Sequence, residues 1–345
     1  MKKIRVLIVD DSALIRLLLS EILSQDKSIN IVGTASDPYE AREKIKKTHP
    51  DVITLDVEMP RMDGLTFLSN LMRLRPMPVV MISTLTQKGA DVTLRALELG
   101  AFDFVCKPST QIKETLTEYS QEIIEKVKAA AHSNISSAAL TIPNKPTAAI
   151  KQQSQQFELI AIGASTGGTE AIKNVVSALP TGLPPIVIAQ HIPDVFSTSY
   201  AKRLDSLTEL TVLEVRSTQE LKQSHVYIAP GDDHLLVTKR QGKLFGSIEK
   251  TELVNRHRPS VDVLFDSVVK ATGKKTLGII LTGMGADGAA GLKNIKLAGG
   301  ITLAQDEASS VVWGMPGAAV KMDAATKVLP LQKIPQAIVR FISSD

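Results

Sequence analysis

LIAIGASTGGTEAIKNVVSAL, residues 159–179, decides the architecture of the second half of the chain. Leu159–Ile162 is a short apolar run of the kind a buried strand presents. Gly163-Ala164-Ser165-Thr166-Gly167-Gly168 is a turn of small residues. Ile172, Val175, Val176 and Leu179 then recur at helical spacing. A strand that runs through a tight turn into an amphipathic helix begins a βαβ unit. Further strands are expected at Ile186–Gln190, Val226–Ala229, Leu277–Leu281 and Ile301–Ala304, with a hairpin over Leu235–Glu249 around Arg240-Gln241-Gly242. Residues 157–345 therefore read as an α/β domain: a doubly wound, mainly parallel sheet with an added β-hairpin.

The first half alternates in the same way. Strands are expected at Ile4–Val9, Asn30–Ala35, Val52–Leu55, Val79–Ile82 and Phe102–Val105. Ile15, Leu18, Leu19 and Ile22 mark the first helix. Asp37-Pro38 with Glu40 is a capping pattern for the second. Others are expected near 65–73, 88–99 and 111–130. Residues 1–128 thus form a five-stranded parallel sheet. Residues 129–156 hold Ser, Thr, Asn, Pro and Gln, with Lys145 and Lys151 and no acid, and read as a linker.

Composition narrows the function. The 345 residues are 43% hydrophobic and 22% charged, which excludes a disordered chain or a small disulfide scaffold. Cys106 is the one cysteine, so no intrachain disulfide and no multi-cysteine zinc site can form. A net charge of +4 is too mild to argue for nucleic acid, and 4% aromatics weigh against stacking platforms for single strands, so no nucleic-acid partner is expected. Lys2, Lys3 and Arg5 precede an apolar run, but Asp10 and Asp11 end it too early for a signal peptide. No stretch approaches the roughly 20 apolar residues of a membrane span. A cytoplasmic protein without membrane insertion is expected.

In doubly wound sheets, functional residues lie beyond the carboxyl ends of the strands. In the first half those ends carry Asp10 and Asp11, then Asp56 followed by Val57-Glu58-Met59-Pro60, then Ser83, then Lys107-Pro108. Any one acid at a strand end is an ordinary solvated residue. Three carboxylates, a hydroxyl and an ammonium on one sheet edge suit a divalent cation with oxygen ligands, and Mg²⁺ in particular. Asp56 is then placed to form an aspartyl phosphate. Together with Met62-Asp63-Gly64, this pattern resembles the response-regulator receiver family, whose fold is flavodoxin-like. The resemblance implies phosphorylation of Asp56 by a histidine kinase. It implies Mg²⁺ held by Asp11, Asp56 and the backbone carbonyl of Glu58, with Asp10 in support. It makes Ser83 and Phe104 the pair that senses the phosphoryl group, and it implies a cis bond before Pro108. Cys106 is expected to be a filler rather than a nucleophile.

Three loops carry the chemistry of the second half. Ser165 lies on a strand-to-helix turn, near a helix N-terminus that favours negative charge. No Gly-Lys-Ser/Thr is present there, which disfavours a P-loop. His191 follows Ile186–Gln190. Of the other histidines, His49 falls in the first domain, His132 in the linker, His225 at a strand start and His234 near a hairpin loop; His257 receives no role. The third loop, Gly283-Met284-Gly285-Ala286-Asp287-Gly288, fits G-x-G-x-x-G, with Asp306 downstream at the next strand end. That pattern supports an alternative, a phosphorylation-gated binding protein with a dinucleotide-binding domain. Against it, the motif comes late in its domain and Asp287 would face the pyrophosphate. Asp287 makes better sense as the third member of a Ser165–His191–Asp287 triad, with backbone N–H groups near Met284 or at the start of the Ser165 helix as oxyanion donors.

With receiver, linker, GASTGG, His191, GMGADG and the stretch Asn255–Asp262, the whole chain resembles the chemotaxis-specific protein-glutamate methylesterase and protein-glutamine deamidase family. The resemblance implies hydrolysis of glutamate γ-methyl esters on the helical cytoplasmic part of chemoreceptors, and deamidation of glutamines. It makes Thr166 and Met284 active-site residues and implies no cofactor for the ester chemistry. Arg203, Arg256 and Arg258 are candidates to steer an acidic substrate surface. An unphosphorylated receiver that covers the Ser165 cleft is the expected mode of control.

Overall fold

The computed structural model describes residues 2–59, 62–107, 116–133 and 156–343, and the chain divides into two compact units, Met1–Ala139 and Leu140–Asp345. The first unit runs β1 (Ile4–Val9), α1 (Ala13–Ser24), β2 (Ile29–Ala35), α2 (Pro38–Thr48), β3 (Val52–Asp56), α3 (Gly64–Leu74), β4 (Val79–Ser83), α4 (Gln87–Glu98), β5 (Asp103–Cys106) and α5 (Leu116–His132). Its strands lie in the order β2-β1-β3-β4-β5, with every neighbouring pair parallel. β3 and β4 are buried along their whole length. This is why they read as continuous apolar runs and not as alternating ones. The cap expected at α2 is present: Asp37 accepts from the N–H groups of Tyr39 and Glu40 at 2.8 and 3.0 Å, and Glu40 accepts from Ser36 N–H at 2.7 Å.

One boundary differs from the sequence reading. α5 continues through His132, so the segment placed in the linker from residue 129 begins as helix. Alanine is the best helix former, and fully buried Ala130 extends the packed face of α5 into the polar stretch. His132 is accordingly a helix residue, with Nδ1 2.7 Å from the Lys128 carbonyl. Pro60, Pro108 with the bond before it, and the start of the helix expected from residue 111 lie outside the described residues.

The second unit runs β6 (Leu159–Ala164), α6 (Gly168–Val176), β7 (Ile186–Gln190), α7 (Asp194–Asp205), β8 (Thr211–Glu214), β9 (Gln219–Glu220), β10 (His225–Ile228), β11 (His234–Arg240), β12 (Lys243–Glu249), α8 (Val261–Thr272), β13 (Thr276–Ile280), α9 (Ala289–Leu297), β14 (Ile301–Gln305), α10 (Met315–Lys321), β15 (Lys327–Leu329) and α11 (Ile334–Ser343). Seven strands form one sheet in the order β15-β14-β13-β6-β7-β10-β8, parallel throughout. The chain builds from β6 towards β8 on one side, then returns to add β13, β14 and β15 on the other. The winding therefore reverses between β6 and β13, and a crevice opens there beyond the strand ends. The hairpin is β11–β12, turning at Gln241 and Gly242, both left-handed (φ 49° and 80°) as a two-residue hairpin turn requires. With β9 it makes a separate three-stranded sheet. β8, β9 and β15 were not legible in the sequence. β8 and β15 are short edge strands with exposed residues, so neither supplies an apolar run. No helix among the described residues is long and apolar enough to cross a membrane.

Candidate active site

Ser165 stands immediately after β6, beside the winding reversal. Its N–H donates to the Thr282 carbonyl at 3.0 Å, and its own carbonyl accepts from Gly168 N–H at 2.7 Å and from Gln190 Nε2 at 2.9 Å. These bonds tie the turn to β13 and β7 at once. Gly283 has no room for a side chain: a Cβ there would lie 2.8 Å from Ser165 Cβ and 2.3 Å from Met315 Sδ. The loops after β6 and β13 therefore touch at the serine. Gly167 is left-handed (φ 73°) and turns the chain into α6, so half-buried Ser165 sits at the positive end of that helix.

His191 follows β7, and its side chain is only 7% exposed. Its Nε2 lies 2.8 Å from Asp287 Oδ2. An ionised carboxylate only accepts, so the proton sits on Nε2 and Nδ1 carries the lone pair. Nδ1 is buried and has no hydrogen-bond partner among the described residues. His191 is joined to the Ser165 turn through its N–H, which donates to the Ala164 carbonyl at 3.2 Å. The Ser165 hydroxyl itself makes no hydrogen bond to the ring.

Asp287 is 3% exposed and surrounded by donors. Besides His191, Oδ2 accepts from Val261 N–H at 2.6 Å. Oδ1 accepts from Asn255 Nδ2 at 2.7 Å, Ser260 Oγ at 2.8 Å and Asp262 N–H at 3.3 Å. Val261 and Asp262 open α8, so the carboxylate occupies the N-terminus of that helix. Burial opposes ionisation, but the hydrogen bond and charge of His191, with Asn255 and Val261, outweigh it and hold the carboxyl well below the usual range. Asp262, beside it, is pushed up by burial, against the Gly291 N–H and with the Asp287 charge.

Asn255 and Ser260 are functional candidates that residue-level reading did not find. They lie 32 and 27 positions from Asp287; only the resemblance singled out their stretch, without giving them a role. Gln190 and His257 were also passed over. The His257 ring stacks on His191 with centroids 3.7 Å apart and planes 15° apart. Buried His234 is structural: Nδ1 accepts from Ser260 N–H at 3.1 Å and Nε2 donates to the Glu252 carbonyl at 2.9 Å. Thr166 is buried and offers its carbonyl to Thr282 Oγ1 at 3.0 Å. Among the described residues, half-buried Met284 gives its N–H to no backbone acceptor. Of the three arginines, Arg256 is exposed, while Arg258 donates to the Thr251 carbonyl at 2.5 Å and Arg203 is half-buried.

The dinucleotide alternative finds no support here. Asp287, the acid inside the Gly-rich loop that leads into α9, is bonded instead to His191 and to the N–H groups that open α8. Asp306, the expected ribose ligand, is tied into its own loop by Ser309, whose N–H and Oγ donate at 3.0 and 2.6 Å.

In the first unit, Asp10 and Asp56 are 0% and 2% exposed, and carboxylate oxygens of Asp10, Asp11 and Asp56 lie within 4.8 Å of one another. Lys107 Nζ stands 3.1 Å from Asp10 Oδ2 and 2.9 Å from Asp56 Oδ2. One ammonium faces three carboxylates, so the cluster is short of positive charge. Burial pushes the Asp56 carboxyl up to about 6, against the hydrogen bond from Lys107 and with the charge of Asp10. A hard-oxygen set of this kind fits Mg²⁺. Glu58 N–H donates to Asp56 Oδ1 at 3.3 Å, which places its backbone beside the cluster. Ser83 is fully buried, with its Oγ 2.6 Å from Thr93 Oγ1. Phe104 is buried with Lys126 Nζ 5.3 Å from its ring centroid. Burial raises the Cys106 thiol to about 12, which suits a filler.

Each unit resembles known proteins. Residues 6–119 match the response regulator receiver domain and residues 160–338 match the CheB methylesterase model. The chain is 55% identical to "Protein-glutamate methylesterase/protein-glutamine glutaminase 2" of Saccharophagus degradans, over 99% of both chains. It is 54% identical to the corresponding protein 1 of Hahella chejuensis, over 100% of this chain and 98% of the relative. The crystal structure of the Thermotoga maritima CheB methylesterase catalytic domain superposes with a TM-score of 0.53 at 40% identity, covering 54% of this chain and 99% of that one. A parallel sheet with Ser165, His191 and Asp287 beyond three adjacent strands, behind a receiver, thus has close relatives along its whole length: the chain belongs to the CheB methylesterase family, the enzymes named protein-glutamate methylesterase/protein-glutamine glutaminase.

Proposed function

We propose that the chain hydrolyses γ-methyl esters of glutamate side chains on the cytoplasmic helices of chemoreceptors, releasing methanol, and deamidates receptor glutamines, releasing ammonia. Ser165 is the nucleophile, His191 the base and Asp287 its anchor. The observation that carries this reading is the imidazole of His191, its Nε2–H given to an ionised Asp287 and its buried Nδ1 left open, on a residue whose backbone N–H is bonded to the carbonyl just before Ser165. Nδ1 takes the serine proton as Oγ attacks the ester carbonyl, and Asp287 stabilises the imidazolium. The proton passes to methoxide, methanol leaves, and water then attacks the acyl-enzyme by the same route to give glutamate. With a glutamine side chain the leaving group is ammonia. The N–H of Met284 and the start of α6, with Thr166 beside the nucleophile, supply the surroundings for the oxyanion; one such donor is typically worth about 10²–10³ in kcat.

The first unit provides the control. Asp56 accepts the phosphoryl group from a histidine kinase, Lys107 meets the added charge, and Ser83 and Phe104 respond to it. Asp11, Asp56 and the Glu58 carbonyl, with Asp10, would hold Mg²⁺, which supplies charge neutralisation for the transferred phosphoryl oxygens. The test is methanol release from methylated receptor membranes. Wild-type chain with a phosphodonor should release it and Ser165→Ala should not. Undiminished release by a folded Ser165→Ala chain would end the serine mechanism.

A further inference from the structure

The base of the site has a second histidine against its face, and the Ser165–His191–Asp287 chemistry proposed above does not use it. The His257 ring lies parallel to His191 at 3.7 Å, closer than most aromatic pairs approach. It is held there by a rigid piece of chain. Val254 and His257 exchange both backbone hydrogen bonds, at 3.1 and 2.9 Å, closing a tight turn. The two central residues, Asn255 and Arg256, are both left-handed, with φ 53° and 67°. On one side of His257, Asn255 Nδ2 bonds both Asp287 and Asp262, at 2.7 and 2.8 Å. On the other, Ser260 bonds Asp287 through Oγ and caps α8, while its N–H is fixed by His234. One segment thus fastens the Asp287 carboxylate and presents the His257 ring.

We infer that His257 is a positioning residue for the ester chemistry: its ring, stacked on His191, fixes the plane of the base so that Nδ1 faces the Ser165 turn. This rests on the Ser165–His191–Asp287 reading above. The hydrogen bond to Asp287 fixes one point of the imidazole, about which the ring can still tilt. No hydrogen bond holds Nδ1. A flat ring against the face removes that freedom. It also gives the imidazolium, once His191 has taken the proton, a π surface to lie on. His257 touches neither the serine proton nor the ester in this role, so any flat ring should serve.

The experiment uses the full chain with a phosphodonor and two measurements. One is the rate at which a fluorophosphonate probe labels Ser165, located by mass spectrometry; the other is kcat and KM for methanol release from methylated receptor membranes. His257→Ala should lower the labelling rate and kcat about ten- to a hundred-fold, with KM unchanged. His257→Phe should restore most of both. Should His257→Ala fail to fold, His257→Leu takes its place, filling the volume without a flat face. Wild-type labelling and kcat in the Ala or Leu variant would overturn the inference, as would a Phe variant as impaired as Ala, which would make the polar ring atoms the working part. Absence of label at Ser165 in the wild type would instead strike the triad reading itself.

Discussion

Asp287 shows how much one side chain depends on its donors. Five groups point hydrogen at its two oxygens, and each needs an acceptor. Asp287→Asn keeps the shape but turns an amide NH₂ towards one set of donors and removes the charge that stabilises the imidazolium. Two consequences follow at this residue. Turnover should fall by about 10⁴-fold, the drop such a change produces in a serine-protease triad. The fold should lose about 1–3 kcal/mol from the unpaired donors, read in denaturant unfolding. The same environment sets a pH dependence. The folded carboxyl is held well below its unfolded value of about 3.9, so its stabilisation is fully present above that value and is lost as the pH falls further. A stability profile between pH 5 and 2 should therefore slope less steeply for Asp287→Asn than for wild type; parallel profiles would contradict this account. Ser165, His191 and Asp287 were legible because strand ends in a parallel sheet are marked by where apolar runs stop. Asn255, Ser260 and His257 were not. They act on Asp287 and His191 across a long stretch of sequence, from a segment whose place no periodicity reveals.

At the scale of the element, β6 and the segment leading into α8 do the positioning. Gly163 lies inside β6, and a Cβ on it would fall 2.1 Å from Val261 Cγ1. Strand and helix meet there with nothing between them. Gly163→Ala should cost about 1–3 kcal/mol as an overpacked core substitution. It should also weaken catalysis, because pushing α8 outward takes the Val261 and Ser260 donors away from Asp287. Equal melting temperatures for the variant and wild type would show that the contact yields freely. The turn at 254–257 makes the opposite case. Arg256 occupies a left-handed position that glycine adopts without penalty, whereas a side chain there costs about 1–2 kcal/mol. Part of that relief is offset by the looser unfolded chain that glycine brings. Arg256→Gly should still raise stability by about 0.5 kcal/mol while leaving the backbone of the turn in place. A loss of stability would mean that the arginine side chain makes contacts that outweigh the strain. The sequence announced the hairpin turn at Gln241-Gly242, because glycine marks it. It concealed this one, because arginine does not. β8 and β15 escaped for a related reason, since short strands at a sheet edge bury too little to leave a pattern.

The whole molecule carries two doubly wound parallel sheets, each with its chemistry beyond the strand carboxyl ends, and the two chemistries are of different kinds. In the first unit carboxylates outnumber the one ammonium, which suits a divalent cation, and Asp56 is the proposed phosphoryl acceptor. In the second, a single carboxylate, Asp287, is satisfied by five donors including the imidazole of His191, and nothing in that arrangement calls for phosphate. This asymmetry was readable from residue types alone: Asp10, Asp11, Asp56 and Lys107 against Ser165, His191 and Asp287. The fold of each unit was equally readable, because buried parallel strands and amphipathic helices leave strong patterns. On the proposed reading control enters at one cluster and is read at the other, which makes the two separable by mutation. Asp56→Asn keeps the size of the side chain and removes the nucleophilic carboxylate. With Mg²⁺ and a small-molecule phosphodonor, methanol release by the wild-type chain should rise, whereas the Asp56→Asn chain should show the same rate with and without the donor. Its Ser165 should still be labelled by a fluorophosphonate at the rate of the unphosphorylated wild type, since none of the groups around Ser165 has been altered. A donor-dependent increase that survives in Asp56→Asn would place the phosphorylated group elsewhere in the chain. An equal rate for wild type with and without donor, with Asp56 phosphorylated, would remove the regulatory coupling altogether.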